Sequence, residues 1–576
     1  MRTFVRRSAL PALTLFAALA ACESAPPVEP ADMVLHNGRV VTVDDSLPEA
    51  QAVAVRGYQI LAVGSNDEID PYIGPETEVI DLAGRLMIPG FIESHGHYMS
   101  LGQSKLILDL TTARNFDDIV AMVRDAAATA EPGDWIFGRG WHQEKWDKVP
   151  EPNVEGVPLH AALDSVSPDN PVVLTHASGH ASFVNGAALA AAGVNAQTRN
   201  PNGGEIVRDA SGEPTGLLRE TAQGLARRGQ RGGSEQRSAE EVYSEQKRQV
   251  DLAGLEALEN GVTSFTDAGS NFATIDFLKS LEDRNELPIR LYVMVRNESP
   301  ENLEAHLDEY RMVDEGNDYL TVRSIKQSID GALGPHGAWL LEPYLDLPES
   351  SGLETTPVER IEQISRIAYA HGFGMNIHAI GDRANREVLD IYEKIFNEGT
   401  GGQDRRWRIE HAQHLSPQDI PRFAQLGVIA AMQGIHCTSD GPWVLKRLGP
   451  ERAESGAYMW RDLIDSGAII SNGTDVPVER ISPIDSYYAS VTRMMPDGTP
   501  FYPAQKMTRE EALRSYTLNG AYAAFEEDVK GSITPGKYAD FTVLDKDILT
   551  IPDAEIPDTK VDMTIIGGVV KYQREM

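Results

Sequence analysis

The chain has 576 residues and only 2 cysteines. Two thiols cannot build a disulfide scaffold, nor a four-cysteine zinc or iron–sulfur centre. Basic residues are also scarce: 52 Lys+Arg face 86 Asp+Glu, a formal net charge of −34. So acidic a surface repels phosphate backbones, which argues against nucleic acid as a partner. Beyond the amino terminus no apolar run reaches the ~20 residues a spanning helix needs. Repeats and low-complexity blocks are absent too. What is present is a 41% hydrophobic fraction, ample for a packed core. The length exceeds the roughly 100–200 residues of one domain, so several structural units are expected. An enzyme is the expected class.

The first residues read as an export signal. Arg2, Arg6 and Arg7 precede the uncharged apolar run Leu10–Ala21, about a dozen residues and too short to span a bilayer. Leu19-Ala20-Ala21-Cys22 closes the run with small residues before a cysteine and resembles a bacterial lipobox. Met1–Ala21 is then a lipoprotein signal peptide, Cys22 the lipidated first residue, and Cys22–Ala31 a proline-containing tether. An ordinary signal peptide cut nearby is the alternative. Glu23, rather than Asp, resembles the outer-membrane sorting signal of Gram-negative bacteria. The expected location is the periplasmic face of that membrane, with membrane contact only through the lipid on Cys22. Cys437 is left without a partner, so no disulfide is expected despite export.

From Asp32 to Ile88 short strands rich in Val, Ile and Thr alternate with turns: Met33–Leu35, Arg39–Val43, Ala52–Arg56, Ile60–Val63 and Glu78–Asp81. Gly531–Met576 has the same character at Ala539–Leu544 and Met563–Val570. Neither piece carries enough apolar surface to fold alone; together they can close one small β-domain from both chain ends. Between them, Pro89–Lys530 alternates apolar runs with helical segments. The runs are Leu86–Glu93, Val262–Thr266, Ile289–Val295, Leu320–Ser328, Gly374–Ile377, Arg406–Glu410, Val428–Met432 and Ala468–Ser471. Eight buried runs joined by helices are the pattern of an α/β (β/α)8 barrel. From Glu93 to Val262 is about 170 residues, several times what one crossover helix needs. An inserted lobe is therefore expected from about Gly102 to Arg248, with strands at Trp135–Gly140 and Val172–His176 and a helix at Ala187–Ala192. Its basic stretch Arg227–Gly233 reads as a solvated loop.

The chemistry gathers at the ends of the apolar runs. Pro89-Gly90-Phe91-Ile92-Glu93-Ser94-His95-Gly96-His97 ends a strand in His-x-His, and residues two apart on a strand project to one side. Two imidazoles there can hold one divalent ion at the carboxyl end of a barrel strand, where barrel active sites lie. His378 follows Gly374–Ile377, His411 follows Trp407–Glu410, and Asp475 follows Ile469–Thr474. Each alone could be a packed histidine or, for Asp475, a helix cap. Four such sites at the ends of four runs are hard to explain by packing.

In this order the motifs resemble the amidohydrolase superfamily, and in local wording its amidohydrolase 3 branch, which includes N-substituted formamide deformylases. The matching pieces are Pro89–His97, Ser178-Gly179-His180, Ile329–Gly334, His378–Asp382, Glu410-His411, Gly473-Thr474-Asp475 and Pro535–Asp540. The resemblance covers about Asp32 to the carboxyl terminus. It implies a (β/α)8 barrel with a small β-sandwich domain built from both chain ends. It also singles out Lys326, which would be carbamylated by carbon dioxide and bridge two ions, an unmodified ammonium having no lone pair to offer. On this reading His95, His97 and Asp475 hold one ion and His378 and His411 a second. The ions are two zinc or, with the same ligands, Mn, Fe or Co. Hydroxide between the metals attacks the scissile carbonyl, and Asp475 carries the proton to the departing nitrogen.

Trp141, His142 and His180 would contact substrate, while Asp330 and Asp382 would orient ligands from behind. His336, His414 and His436 are not counted as ligands. The implied function is metal-dependent hydrolysis of a non-peptide carbon–nitrogen bond in an amide, N-acyl amine, formamide or cyclic amide. A mononuclear deaminase on the same barrel is one alternative; a lipid-anchored solute-binding protein is another. The expected partner is a small-molecule substrate, and a homodimer is left open.

Overall fold

The computed structural model describes residues 29–233, 238–313, 319–399 and 404–575. The leader, Cys22 and most of the tether lie outside them. Eight parallel strands form the central sheet: β1 (Phe91–Gly96), β2 (Val262–Ser270), β3 (Arg290–Val295), β4 (Leu320–Ser328), β5 (Gly374–Ala379), β6 (Arg408–His411), β7 (Ile429–Gln433) and β8 (Ile470–Gly473). They pair in sequence order, each with the next. Most of their residues are buried on both faces, as parallel strands under a helical coat must be. The coat follows from amphipathic spacing: in the helix Asp382–Glu398, Val388, Leu389, Tyr392 and Ile395 are buried while Arg383 and Glu387 pair at the surface.

The ends of this sheet, β1 and β8, are joined by a seam. Asp475 N–H donates to His95 C=O at 2.8 Å and His97 N–H to Val476 C=O at 2.7 Å. The Glu93 carboxylate accepts from Thr474 N–H at 2.7 Å and from its hydroxyl at 2.9 Å. Gly473 allows this approach, since a Cβ there would lie 2.3 Å from Glu93 Oε1 and 2.7 Å from His95 N.

Both chain ends contribute to a second unit. A six-stranded sheet runs Val569–Gln573, Val561–Ile566, Phe541–Leu544, Leu86–Pro89, Arg39–Val41, Glu49–Ala50, and a four-stranded sheet of amino-terminal strands accompanies it. One apolar cluster unites Leu35, Val40 and Val53 with Phe541, Val543 and Ile565. The single run expected at Leu86–Glu93 is in fact two strands. Leu86–Pro89 belongs to the six-stranded sheet and Phe91–Gly96 to the barrel, because Gly90 donates to Asp540 C=O and the chain changes sheets there. A buried Arg290–Asp540 pair (Nε–Oδ2 2.8 Å) ties β3 to this unit, its guanidinium lying between Tyr319 and Tyr538.

The lobe after β1 carries a six-stranded sheet including Ile136–Trp141, Val172–His176, Ala181–Val184 and Pro214–Glu220. Its expected end at Arg248 falls inside one continuous helix, Ala239–Glu259, whose Val250, Ala253 and Ala257 pack into the barrel core. Among the described residues no helix is long and apolar enough to cross a membrane.

Candidate active site

His95 and His97, two apart at the end of β1, turn their Nε2 atoms toward Asp475 Oδ1, at 3.6 and 3.3 Å. Lys326 Nζ, from β4, is 3.4 Å from His95 Nε2. His411, at the end of β6, stacks edge-on against both His95 and His378, with ring centroids 4.7 and 4.5 Å apart. Its Nδ1 meets Gln433 Oε1 at 2.8 Å and lies 3.9 Å from Asp475 Oδ2. Six residues from five strand ends thus converge. His411 and Asp475 both adopt left-handed backbone, φ +76° and +58°, a conformation uncommon for residues that carry a β-carbon.

The donor set fits divalent metal. Asp475 Oδ1 and His378 Nε2 are buried without a hydrogen-bond partner among the described residues. The donor atoms of His95, His97 and Asp475 lie within 4.8 Å of one another, and so do those of His411, His436 and Asp475. Burial pushes His95 down to about 4, and His378 and His411 well below the usual imidazole value. All three therefore present neutral lone pairs at neutral pH. Burial works against ionisation of Asp475, but His97 and the imidazoles of His411 and His95 outweigh it and hold the carboxylate ionised. Burial, with Arg296 adding, lowers Lys326 to about 7.

The supporting groups are specific. His95 Nδ1 is hydrogen-bonded to Glu410 Oε2, and Glu410 Oε1 lies 2.7 Å from Arg408 Nε, both side chains almost fully buried. This fixes the tautomer that frees His95 Nε2. Neither Arg408 nor Glu410 was assigned a role from sequence, although their spacing of two on β6 points both the same way. Asp330 accepts from Trp339, Ile380 and Gly381 N–H at 2.8–3.0 Å, pinning the chain just beyond β5, and its Oδ1 is 3.4 Å from His378 Nε2.

Asp382 does not reach the ligands; its carboxylate accepts from Leu341 and Arg383 N–H, so it anchors a loop. Trp141 is also not at the cavity. Its indole N–H donates to Leu174 C=O at 2.8 Å and its ring packs with Trp146, His176 and Phe183 in the lobe core. His180 does face the site, held by Glu220 at 2.7 Å with its ring 4.9 Å from that of His378. His142 stacks on Trp443 beside a smaller side cavity that also touches His180 and His378. His436, set aside above, belongs to the second donor group, with Gln413 on its Nδ1. The stretch read as a loop at Arg227–Gly233 is helical (Gln223–Gly233), and Arg227 lines the cavity at the site, of about 580 Å³, with Lys326, His378 and Asp475. That volume suits a small-molecule substrate.

Comparison with known proteins agrees with this arrangement. Residues 78–572 match the Amidohydrolase family. Protein LONG AFTER FAR-RED 3 of Arabidopsis thaliana is 36% identical over 528 residues, spanning 89% of this chain and 87% of its own. N-substituted formamide deformylase of Arthrobacter pascens is 28% identical over 554 residues, spanning 94% and 98%. The crystal structure of an uncharacterized metal-dependent hydrolase from Pyrococcus horikoshii OT3 aligns with a TM-score of 0.70 at 25% identity, covering 91% of this chain and 99% of that one. The solute-binding reading is thereby overturned: the chain belongs to the amidohydrolase family and is an enzyme of that metal-dependent superfamily on a (β/α)8 barrel.

Proposed function

We propose that the chain hydrolyses a non-peptide carbon–nitrogen bond in an amide, N-acyl amine, formamide or cyclic amide. The observation that carries this reading is the buried donor set around Asp475, whose Oδ1 lacks a hydrogen-bond partner among the described residues. The likeness to a formamide deformylase along nearly the whole chain supports the bond class.

His95, His97 and Asp475 would hold one ion, His378 and His411 a second. The bound metal supplies Lewis acidity and lowers the pKa of water toward neutrality. Asp475, ionised and beside both donor groups, accepts the proton of the attacking water and delivers it to the departing nitrogen. His180, oriented by Glu220, reaches over His378 to where the carbonyl oxygen gains charge. Lys326 is buried, and its pKa of about 7 leaves a substantial share of neutral amine at neutral pH. That amine adds to carbon dioxide, forming an N–C bond and releasing one proton, to give an anionic carbamate at the centre of the set. The lipid on Cys22 and the outer-membrane location belong to the same proposal on sequence grounds alone.

The test is a hydrolysis screen of N-acyl amines, formamides and cyclic amides with zinc-, manganese-, iron- and cobalt-loaded protein, with metal content measured in parallel. Two metals per chain and rescue of Lys326→Ala by a short carboxylic acid support the reading. One metal, no rescue and ammonia release from aminated rings would favour the mononuclear deaminase. Full activity after chelation would refute both. For Cys22, incorporation of labelled fatty acid that Cys22→Ala abolishes is the expected result.

A further inference from the structure

Three guanidinium groups line the cavity that contains Asp475 and His378: Arg139 from the lobe strand Ile136–Trp141, Arg227 from the lobe helix Gln223–Gly233, and Arg296 just past β3. These three form no ion pair among the described residues, while most other arginines do. Arg139 donates only to backbone, to Ala177 C=O at 3.1 Å and Pro477 C=O at 3.3 Å. Arg296 reaches Ser328 Oγ at 3.3 Å and, more weakly, Ala268 C=O at 3.5 Å. Arg227 is exposed at the rim.

Their mutual field is unfavourable as it stands. Burial lowers Arg139 to about 10 and lowers Arg296 as well, and in both the charge of Arg227 adds to the lowering while Asp475 opposes it. Arg139 and Arg296, both partly buried, therefore feel attraction from Asp475, joined at Arg296 by the stronger attraction of Asp267, and repulsion from Arg227. Like charges gathered in a cavity, with most of their N–H donors unused, are stabilised when an anion enters between them.

We propose that the substrate carries a carboxylate, held by Arg227, Arg139 and Arg296 while its amide carbonyl lies at the donor set; the substrate class is then N-acyl amino acids and related amido acids. This rests on the amide-hydrolase reading above and narrows it. A carboxylate matches the guanidinium fork in plane and charge. A dianionic phosphate in the same cavity would meet stronger repulsion from ionised Asp475. Two of the three cations come from the inserted lobe, which gives that lobe a direct part in substrate choice.

The experiment uses the metal-loaded enzyme and a panel of N-formyl and N-acetyl amino acids, each matched with the amide that lacks only the carboxylate. The expected kcat/KM ratio, acid over neutral, is at least about tenfold, equivalent to one charge-assisted contact. Arg227→Gln, at an exposed position that folding does not depend on, should bring the ratio close to one through KM. Arg139→Gln should act in the same direction, and Arg228→Gln, one residue outside the cavity lining, should leave the ratio unchanged. Equal or inverted preference in the unmodified enzyme, or a preference that survives Arg227→Gln, overturns the proposal. Tighter calorimetric binding of the matched phosphonates overturns the carboxylate assignment. Should no amide be hydrolysed, the amide reading fails, and calorimetry with the acids still decides the present one. Binding lost in Arg227→Gln upholds an anion site, and no binding refutes it.

Discussion

Replacing Glu410 by Gln keeps volume and planarity at a buried position while removing one charge. In the native chain the carboxylate stands between His95 Nδ1 and the Arg408 guanidinium, with side-chain exposures of 0% for Glu410 and 2% for Arg408. Gln leaves the buried Arg408 cation without a counter-charge, facing a neutral amide and Ser94 C=O at 2.6 Å. Breaking a buried pair from one side costs about 3–5 kcal/mol, and the retained shape puts Glu410→Gln near the lower figure. His95 also loses the anion that fixes its tautomer, which typically weakens metal binding about 10–100-fold. Urea unfolding of the metal-free protein and competitive zinc titration measure the two effects separately.

Although burial opposes ionisation of Glu410, Arg408 and His95 lower its pKa below the ordinary 4.5. A carboxylate with a lowered folded pKa stabilises above its unfolded value and loses that contribution as pH falls. The wild-type advantage should therefore be flat from neutrality down to about 4.5 and shrink below it. The double variant Arg408→Met/Glu410→Met should recover much of the stability and none of the metal affinity. A loss under about 1 kcal/mol with unchanged zinc affinity would show that the pair neither supports the barrel nor orients His95.

Trp141→Phe should cost about 1–3 kcal/mol through the lost bond to Leu174 and reduced packing, with kcat/KM changed less than about twofold. A selective rise in KM would return Trp141 to the substrate site. Arg290→Met leaves Asp540 buried without its cation, so a loss of about 3–5 kcal/mol is expected, with unchanged turnover by the protein that remains folded. Chelation of metal should lower the melting temperature, the linkage amounting to about 2.7 kcal/mol at a metal concentration one hundred times Kd. Hydrogen exchange should then quicken first in β1 and β8 and last in Val561–Ile566; the reverse order would disprove a ligand set that bridges the seam.

The eight barrel strands are legible because parallel strands buried on both faces leave unbroken apolar runs, and the candidate ligands His95, His378, His411 and Asp475 because a side chain able to bind metal stands within a few residues of the end of four of those runs, whereas Lys326 lies inside its run and only the family resemblance singles it out. What the runs do not carry is where the chain changes partners. Leu86–Glu93 is apolar throughout, yet Gly90 divides it between two sheets. Side-chain direction in the lobe is equally hidden. The strand Ile136–Trp141 shifts register between Arg139 and Trp141, where Gly140 takes φ +110°. That irregularity turns Arg139 to the cavity and Trp141 into the core, against the sequence expectation for Trp141. Gln223–Gly233 holds four glycines and reads as loop by local propensity, but Ala222 and Ala226 packing into the lobe overrides it. The role of the Arg408–Glu410 pair is not legible in sequence, because an Arg and a Glu two apart look like ordinary ions until the fold sets the carboxylate against His95 Nδ1.

The seam explains why fold and site are inseparable here. β1 and β8 are the first and last barrel strands, and closing the sheet depends on bonds made by the residues that carry ligands or stand beside them. Asp475 N–H on His95 C=O draws the Asp475 carboxylate toward the two imidazoles of β1. Glu93 holds Thr474, and Gly473 gives the room for Glu93 to do so. The left-handed turn at Asp475 is the consequence: a chain bonded to β1 through its own N–H must bend there to direct its side chain inward. Strain of that kind persists only where surrounding contacts over-determine it, and here those contacts are the closure of the barrel itself. Substitutions at Glu93, Gly473 or Thr474 should therefore loosen the barrel and disperse the ligands together, whereas substitutions at Arg139 or Arg227 can alter substrate preference while the barrel stays closed.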